Sequence, residues 1–544
     1  VISYLEAMMM KFISIIPFLT TGTLALSTQV TDVLDILANS VDASSKGSLK
    51  DSLKSLLHTS ASTLFNEFDS FNKEEVSGLS EYPYFGVIPP YQGSVLPGGD
   101  LSWSSPCFSS TKASFDTDMN LSMKAQGTKQ CDRVGGDLYI IGTMSNVQIV
   151  EVTTLKAVNI LWQTTNITES ETWDIQNKGI RVFLFQSDAG TLIANLLKTV
   201  ELFIPVIVGP GVGTTAAEAN VEFLSEYAHK DMLPNPTLMD PPSADQVKSG
   251  DFFGVIRLDG LDPMLAWAMG STTGHTTVAM WIDDELYICE STAEGAYWPL
   301  SGIQKTPYSE WLTMAQEADY NVVWMPLEDD VDFDVDSAVA FFKQWEGVDY
   351  GYQAMLWGWL DTVKDNYPCV PPDFSSMCLE FELVEILFSA VDRLDPYLAN
   401  QMWNQAFNFR LGTQGLNTAD LFMTAELNGI PSNTLPLIVE SDDWMYETLN
   451  VTSGDIVQAP AMVCNVFVCH MWKSGGLFGD FTDEMNCGET TNWDIYVLDW
   501  LSEPNQILGA YSMTINNASS KVPYANYAEN CASLAPDYDK DPMC

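Results

Sequence analysis

His275, Glu290 and Cys464 are the residues whose types and surroundings can make and break covalent bonds. Thr276–Ile282, the pair Asp283-Asp284 and Glu285–Glu290 read as a β-hairpin with a two-residue loop. That loop pairs Ile282 with Glu285 and, counting back, Thr277 with Glu290 and His275 with Thr292. Cross-strand partners share a face, and so do residues i and i+2. His275 and Glu290 therefore sit as diagonal neighbours on one side of the ribbon. A carboxylate there fixes the tautomer of the imidazole and raises its basicity. The plainer alternative is a half-exposed His beside an unrelated Glu.

A base of this kind needs a nucleophile. Cys464 stands near the start of a helical stretch, Pro460–Ser474, that ends at Gly475-Gly476. A thiol at a helix N-terminus is easier to ionise. No Asp or Glu lies between Asp455 and Asp480, whereas His470 and Lys473 do. Cys378 is the competing nucleophile: it also opens a helical segment, but Glu380, Glu382 and Glu385 follow it, and like charge opposes a thiolate. For either cysteine the alternative is a disulfide or a buried apolar residue.

The composition narrows the partners. The chain has 544 residues, 24 Lys+Arg against 72 Asp+Glu, and a formal net charge of −48. Neutralising phosphates takes clustered Lys and Arg, and no basic run exists, so nucleic acid is excluded as a partner. With 46% hydrophobic residues and 16 Trp, the chain can bury large cores, and its length points to more than one domain. Met8–Lys11, the apolar run Phe12–Leu26 and Ala25-Leu26-Ser27 follow the order of a signal peptide. Neither that run nor Leu202–Val212 makes a good membrane span, so no transmembrane segment is expected in the mature chain. Export implies disulfides, and local spacing pairs Cys107 with Cys131, Cys369 with Cys378 and Cys531 with Cys544. Sequons stand at Asn120, Asn166, Asn450 and Asn517. No His and Cys spacing reads as a metal site, and no cofactor fingerprint is present.

The elements that must position these residues fall into two halves. Residues 30–72 carry apolar positions at helical spacing, and 78–110 read as turns. Leu138–Ile141, Val147–Val152 and Ile180–Phe185 read as strands, Leu192–Pro205 and Ala216–Tyr227 as helices. The stretch Leu233–Pro242 is the best linker. Beyond it come a strand at Phe252–Leu258, a helix at Asp262–Met269, the hairpin, and a strand at Val322–Leu327. Helices follow at Asp334–Trp345 and Cys378–Leu394. The aromatic stretch from Trp345 through Tyr350 and Tyr352 to Trp357 and Trp359 reads as core or as the lining of a cleft.

Gly250-Asp251 before a strand, Gly274-His275 opening a strand, Glu290 on the next strand and a later cysteine heading a helix form a pattern. It resembles the papain-fold amidases of the NlpC-type superfamily. The order His before Cys resembles its circularly permuted branch, which includes YiiX-like hydrolases and the lecithin–retinol acyltransferase group. Met462–Val468, running on to Trp472-Lys473 and Gly475–Phe478, is similar to that branch's nucleophile helix. The resemblance covers roughly residues 245–480. It implies a permuted papain-like domain, an antiparallel sheet packed with helices. With the strands and helices read before it as a β-rich N-terminal domain with helices, the expected fold class is α+β. The expected boundaries are 1–27 for upstream residues and signal peptide, 28–235 for the N-terminal domain and 243–480 for the catalytic domain. A helical insertion is expected at about 355–445 and a disulfide-stapled extension at 481–544. The resemblance further implies Cys464 as nucleophile, His275 as base and acid, Glu290 as orienting residue, and hydrolysis of a peptide or amide. The leader and the acidic charge lead to the expectation of the secretory pathway, outside the cell or in a lysosome or vacuole. A lipid-directed thioesterase or acyltransferase acting on an acyl substrate is the second expectation. An inactive binding protein is the third, and it predicts Cys464 in a disulfide, for example with Cys487 or Cys469.

Overall fold

The computed structural model describes residues 91–105, 107–129, 136–144, 146–162, 167–186, 214–227, 231–268, 273–293, 301–355, 381–483, 485–496, 498 and 500–513. The expected leader, the stretch 30–72 and Leu192–Pro205 lie outside the described residues, as do Cys131, Cys369, Cys378, Cys531, Cys544, Asn166, Asn517, Trp357 and Trp359.

The first half is a pair of antiparallel sheets. Its strands are β1 (Tyr91–Val95), β2 (Gly99–Trp103), β3 (Phe108–Phe115), β4 (Asn120–Thr128), β5 (Asp137–Thr143), β6 (Asn146–Val152), β7 (Val158–Leu161) and β8 (Ile180–Gln186). One sheet runs β1-β8-β5-β6 and the other β2-β3-β4-β7. They enclose one apolar core in which Phe115, Tyr139, Ile141 and Trp162 are fully buried. The expected strands at 138–141, 147–152 and 180–185 are β5, β6 and β8. The reading of 78–110 as turns is corrected for residues 91–110. Pro97 and Gly98, the latter at φ +78°, make only the tight connection between β1 and β2. Helix α1 (Glu169–Asn177) starts at a capping box between Thr168 and Glu171.

The second half is built on a six-stranded antiparallel sheet. Helix α2 (Thr214–Tyr227) precedes it. Then come β9 (Phe252–Ile256), α3 (Leu261–Ala268), β10 (His275–Ile282), β11 (Glu285–Thr292), β12 (Gly302–Pro307), α4 (Tyr308–Glu317), β13 (Asn321–Met325) and α5 (Val335–Trp345). The helical insertion contributes α6 (Phe381–Leu394), α7 (Gln405–Leu411) and α8 (Thr418–Leu427). A small hairpin, β14 (Tyr446–Leu449) and β15 (Ile456–Ala459), leads into α9 (Cys464–Ser474), and β16 (Asn505–Leu508) closes the sheet. The strand order is β12-β11-β10-β9-β13-β16. Both faces are covered, which is why β9 and β13 are buried at every residue. Phe252, Val278 and Met280 point to the side of α5 and α9. Phe253, Val255, Ala279 and Ile288 point to the side of α4.

Two boundaries differ from the expected ones. Phe223 and Leu224 of α2 pack in the same core as Phe252, so the second half begins before the expected linker. That linker is not free-running, because Met239 N–H donates to Gln506 O and Leu233 N–H to Ser512 Oγ. Among the described residues beyond 480, those of β16 belong to the second half's sheet, since β16 pairs with β13. The insertion bridges the halves. Leu383 and Ile386 of α6 pack on Leu138, Ile140, Phe183 and Phe185. Beneath them Arg181 of β8 holds Asp174 at 2.5 and 2.7 Å and Glu385 of α6 at 3.2 Å.

Candidate active site

The β10–β11 hairpin forms as its sequence requires. Asp283 and Asp284 both take positive φ, 53° and 67°, the requirement of a type I′ turn. Ile282 pairs with Glu285 and Val278 with Cys289, which sets the expected register. In that register His275 Nε2 lies 2.7 Å from Glu290 Oε2. The other carboxylate oxygen of Glu290 accepts from Trp311 Nε1 of α4 at 3.2 Å. All three side chains are buried. An ionised carboxylate only accepts, so it selects the tautomer with a proton on Nε2 and leaves Nδ1 as the basic nitrogen.

Close packing fixes where β10 starts. A Cβ on Gly274 would stand 2.3 Å from Asp262 Cβ, so only glycine lets α3 approach there. Asp262 is in turn clamped by Arg257, with contacts of 2.6 and 3.0 Å. On the other side, the residues before Cys464 are pinned. Met462 O accepts from Ser291 Oγ at 2.7 Å and from Gly351 N–H at 3.1 Å. A Cβ on Gly351 would meet Met462 N at 2.1 Å, so the loop that carries Tyr350 lies directly against the nucleophile's approach.

Cys464 is the first residue of α9, with Val463 as N-cap and no acidic residue in the first turn. Its sulfur is free and buried, and His275 is the neighbour that most favours its ionised form. Burial opposes the Cys464 thiolate. The hydrogen bond and charge of His275, and a hydrogen bond from the Thr276 backbone N–H, outweigh it and hold the thiol below its ordinary value. Burial likewise opposes the His275 imidazolium, but hydrogen bonds to Cys464 and Glu290 push it up to about 9. Both shifts favour a thiolate–imidazolium pair.

The structure thus brings together Cys464, His275 and Glu290. Cys378, the competing nucleophile, lies outside the described residues. Among the described residues, Cys464 and Cys289 are the free cysteines, and Cys289 has its thiol pushed well up by burial. Cys469 pairs with Cys487, a disulfide absent from the expected set. Cys464 is therefore in neither of the bonds that an inactive binding protein was expected to use. Cys107 is also disulfide-bonded. The Asn120 side chain is exposed, whereas Asn450 donates to Glu346 O and accepts from Thr452 and Ser453 N–H, which ties its sequon into a turn.

Two further residues flank the nucleophile. Tyr350 lies beside Cys464, and burial first, then the charge of Cys464, raises its pKa well above the ordinary phenol value. Asn492 Oδ1 accepts from the Cys464 thiol at 3.8 Å. Tyr350 was legible only as one member of an aromatic stretch. Asn492 gave no signal, because its contact depends on the Cys469–Cys487 closure. Asp442, His470 and Cys487 bring ligand-type atoms within 4.8 Å of one another. The Cys487 sulfur is committed to the disulfide and Lys473 bonds Asp442 at 2.8 Å, so the cluster lacks a three-ligand set.

No protein-family model, curated protein or solved structure matches the chain. Among the described residues, no helix is long and apolar enough to cross a membrane.

Proposed function

We propose that this chain is a cysteine hydrolase that cleaves amide or peptide bonds through an acyl-enzyme. The observation that carries the reading is a free thiol at the first position of α9 beside His275, whose Nε2 is 2.7 Å from Glu290. The Cys464 thiolate attacks the carbonyl carbon, and the imidazolium of His275 returns the proton to the leaving nitrogen. His275 then takes a proton from water, which attacks the acyl-sulfur bond and frees the thiol. The developing oxyanion needs donors. The Cys464 N–H is one. In this reading the Tyr350 O–H, kept protonated beside Cys464, is the other. Glu290, held by Trp311, orients His275 and stabilises its charge.

A permuted papain-like arrangement accords with an antiparallel sheet whose central strand carries His275 and whose covering helix starts with Cys464. A disulfide-bonded Cys469–Cys487 pair and a bonded Cys107 suit the secretory compartment in which the proposal places the protein. The test is a panel of fluorogenic amide, peptide and thioester substrates run beside Cys464→Ala. Turnover of amides that is lost in the variant supports the reading. Turnover of thioesters alone reassigns the site to acyl transfer chemistry. Any turnover retained by Cys464→Ala overturns it.

A further inference from the structure

The Cys464 thiol has one proton and two acceptors. One is the ring nitrogen of His275 that Glu290 leaves basic. The other is Asn492 Oδ1 at 3.8 Å. The orientation of the Asn492 amide is fixed by its other end, where Nδ2 donates to the Thr273 carbonyl at 3.1 Å. A carbonyl can only accept, so the oxygen must face the sulfur. Asn492 is fully buried and its backbone is held. Asn465, next to the nucleophile, donates to Thr490 O, and the Cys469–Cys487 disulfide ties α9 to the turn that leads into Asn492. An amide oxygen stabilises S–H by accepting its proton and repels S⁻, which has none to give.

We propose that Asn492 is a positioning residue that favours the protonated form of the Cys464 sulfur, against the stronger pull of His275, and so sets how much of the nucleophile is ionised before substrate arrives. The inference rests on Cys464 and His275 acting as proposed above. When the proton moves from Sγ to the imidazole, the Asn492 hydrogen bond is lost and nothing else changes hands. The titratable groups facing the sulfur are His275 from β10, Glu290 behind it from β11, and Tyr350 from the loop before Tyr352. On the segment that carries Asn492, the carboxylates of Glu489 and Asp494 are turned to the Glu440 N–H and to Thr491.

The experiment reads the proton rather than turnover. The pH dependence of iodoacetamide labelling of Cys464, followed by mass mapping, gives the midpoint of thiol ionisation in the full chain. Asn492→Ala should lower that midpoint by about half to one pH unit and raise labelling below it roughly three- to tenfold. Asn492→Asp, which sets a negative charge beside the sulfur, should raise the midpoint by at least about one unit. Loosening of the segment would push both variants the same way, so opposite shifts are the signature of the amide. Equal or same-direction shifts, with the Cys469–Cys487 disulfide intact, overturn the assignment. His275→Ala separates the two levels of the argument. If it leaves the midpoint where it was, the proposed site itself fails. If it raises the midpoint while the Asn492 variants do nothing, only the role of Asn492 falls.

Discussion

Glu290→Gln removes one charge and keeps the shape, and the geometry sets what should follow. Glu290 accepts on both sides, from His275 Nε2 at 2.7 Å and from Trp311 Nε1 at 3.2 Å. A carboxamide has one oxygen and can accept on only one side. With its oxygen toward His275, its NH2 group confronts the Trp311 N–H, donor against donor. With its oxygen toward Trp311, the NH2 group faces Nε2, which must give up its proton. The imidazole then carries its proton on Nδ1, and the nitrogen beside the sulfur stops accepting. Either way a charge-assisted hydrogen bond is lost, worth about 1.5–3 kcal/mol, which is roughly one to two pH units. His275 is pushed up to about 9 by Cys464 and Glu290 against burial. In the variant its titration should fall to roughly 7–8.

The sign follows from linkage. In the native chain the raised imidazolium stabilises the fold fully below about pH 6.5 and loses that contribution as the pH rises toward about 9. The thiolate–imidazolium pair therefore persists over the same alkaline range, and Glu290→Gln should narrow it from the alkaline side. Amide turnover should fall about ten- to a hundredfold at pH 8, and the alkaline limb of the pH–rate profile should move down by roughly one to two units. An NMR titration of the His275 ring gives the same shift without substrate. A variant with the native alkaline limb and native rate would refute the role given to Glu290.

Other perturbations report on the scaffold. Arg181→Met leaves Asp174 buried without its cation, while Lys178 still reaches Glu385 at 2.8 Å. Breaking a buried pair from one side should lose about 3–5 kcal/mol in denaturant unfolding, and a loss below about 1 kcal/mol would mean that the charge network does not join the halves. Serine at both Cys469 and Cys487 opens a closure with a sequence separation of 18. The chain-entropy estimate for a loop of that size is about 3 kcal/mol, read as a drop in melting temperature that reductant reproduces in the native chain. Asp259→Asn tests a raised carboxyl. Burial holds Asp259 at about 7, and the neighbouring Asp262 adds to it against Arg257. The fold therefore loses stability as the pH rises from about 4 to about 7. Asparagine still accepts from the Asp262 N–H, so the variant should melt no lower than the native chain at pH 8, with the difference gone by pH 4. A lower melting temperature at pH 8 would mean that Arg257 depends on the Asp259 charge.

What the sequence carried, and what it did not, divides along local against long-range signals. The hairpin was legible to the residue, because a two-residue Asp-Asp loop fixes register and register fixes which side chains share a face. Between Phe252 and Trp345 the first strand and helix, the hairpin, β13 and α5 were legible for the same reason, whereas β12 and α4, which carries Trp311, were not. The first three strands were lost among prolines and glycines; Pro97 and Gly98 fall in the connection, while Gly93 and Gly99 lie within β1 and β2 themselves. Strands β12 and β14 are short and carry no clear alternation, and the partner of the edge strand β16 is β13, far earlier in the chain. The Cys469–Cys487 bond could not be read, because ten cysteines allow too many pairings for spacing to decide. Asn492 beside the sulfur follows from that bond and was invisible with it.

The acid-free interval from Asp455 to Asp480 takes on a different meaning once α9 is seen. In a chain with 72 acidic residues that gap marked out Cys464 as a place where a thiolate survives. Yet every residue of α9 from Cys464 to Trp472 is buried. A helix covered on all sides excludes carboxylates whether or not it carries a nucleophile. Freedom from acids is thus explained by packing alone, and it ranks Cys464 and Cys469, five residues apart on the same helix, equally. What separates them is position. Cys464 is at the first turn, where backbone N–H groups are unpaired and the helix dipole favours an anion, and it faces a base aligned by a carboxylate. Cys469 lies further along the helix and is closed in a disulfide. The reactivity proposed for Cys464 therefore comes from the helix terminus and the His275–Glu290 pair. The acidic surface of the rest of the chain bears on solubility and on which substrates approach, not on the ionisation of the sulfur.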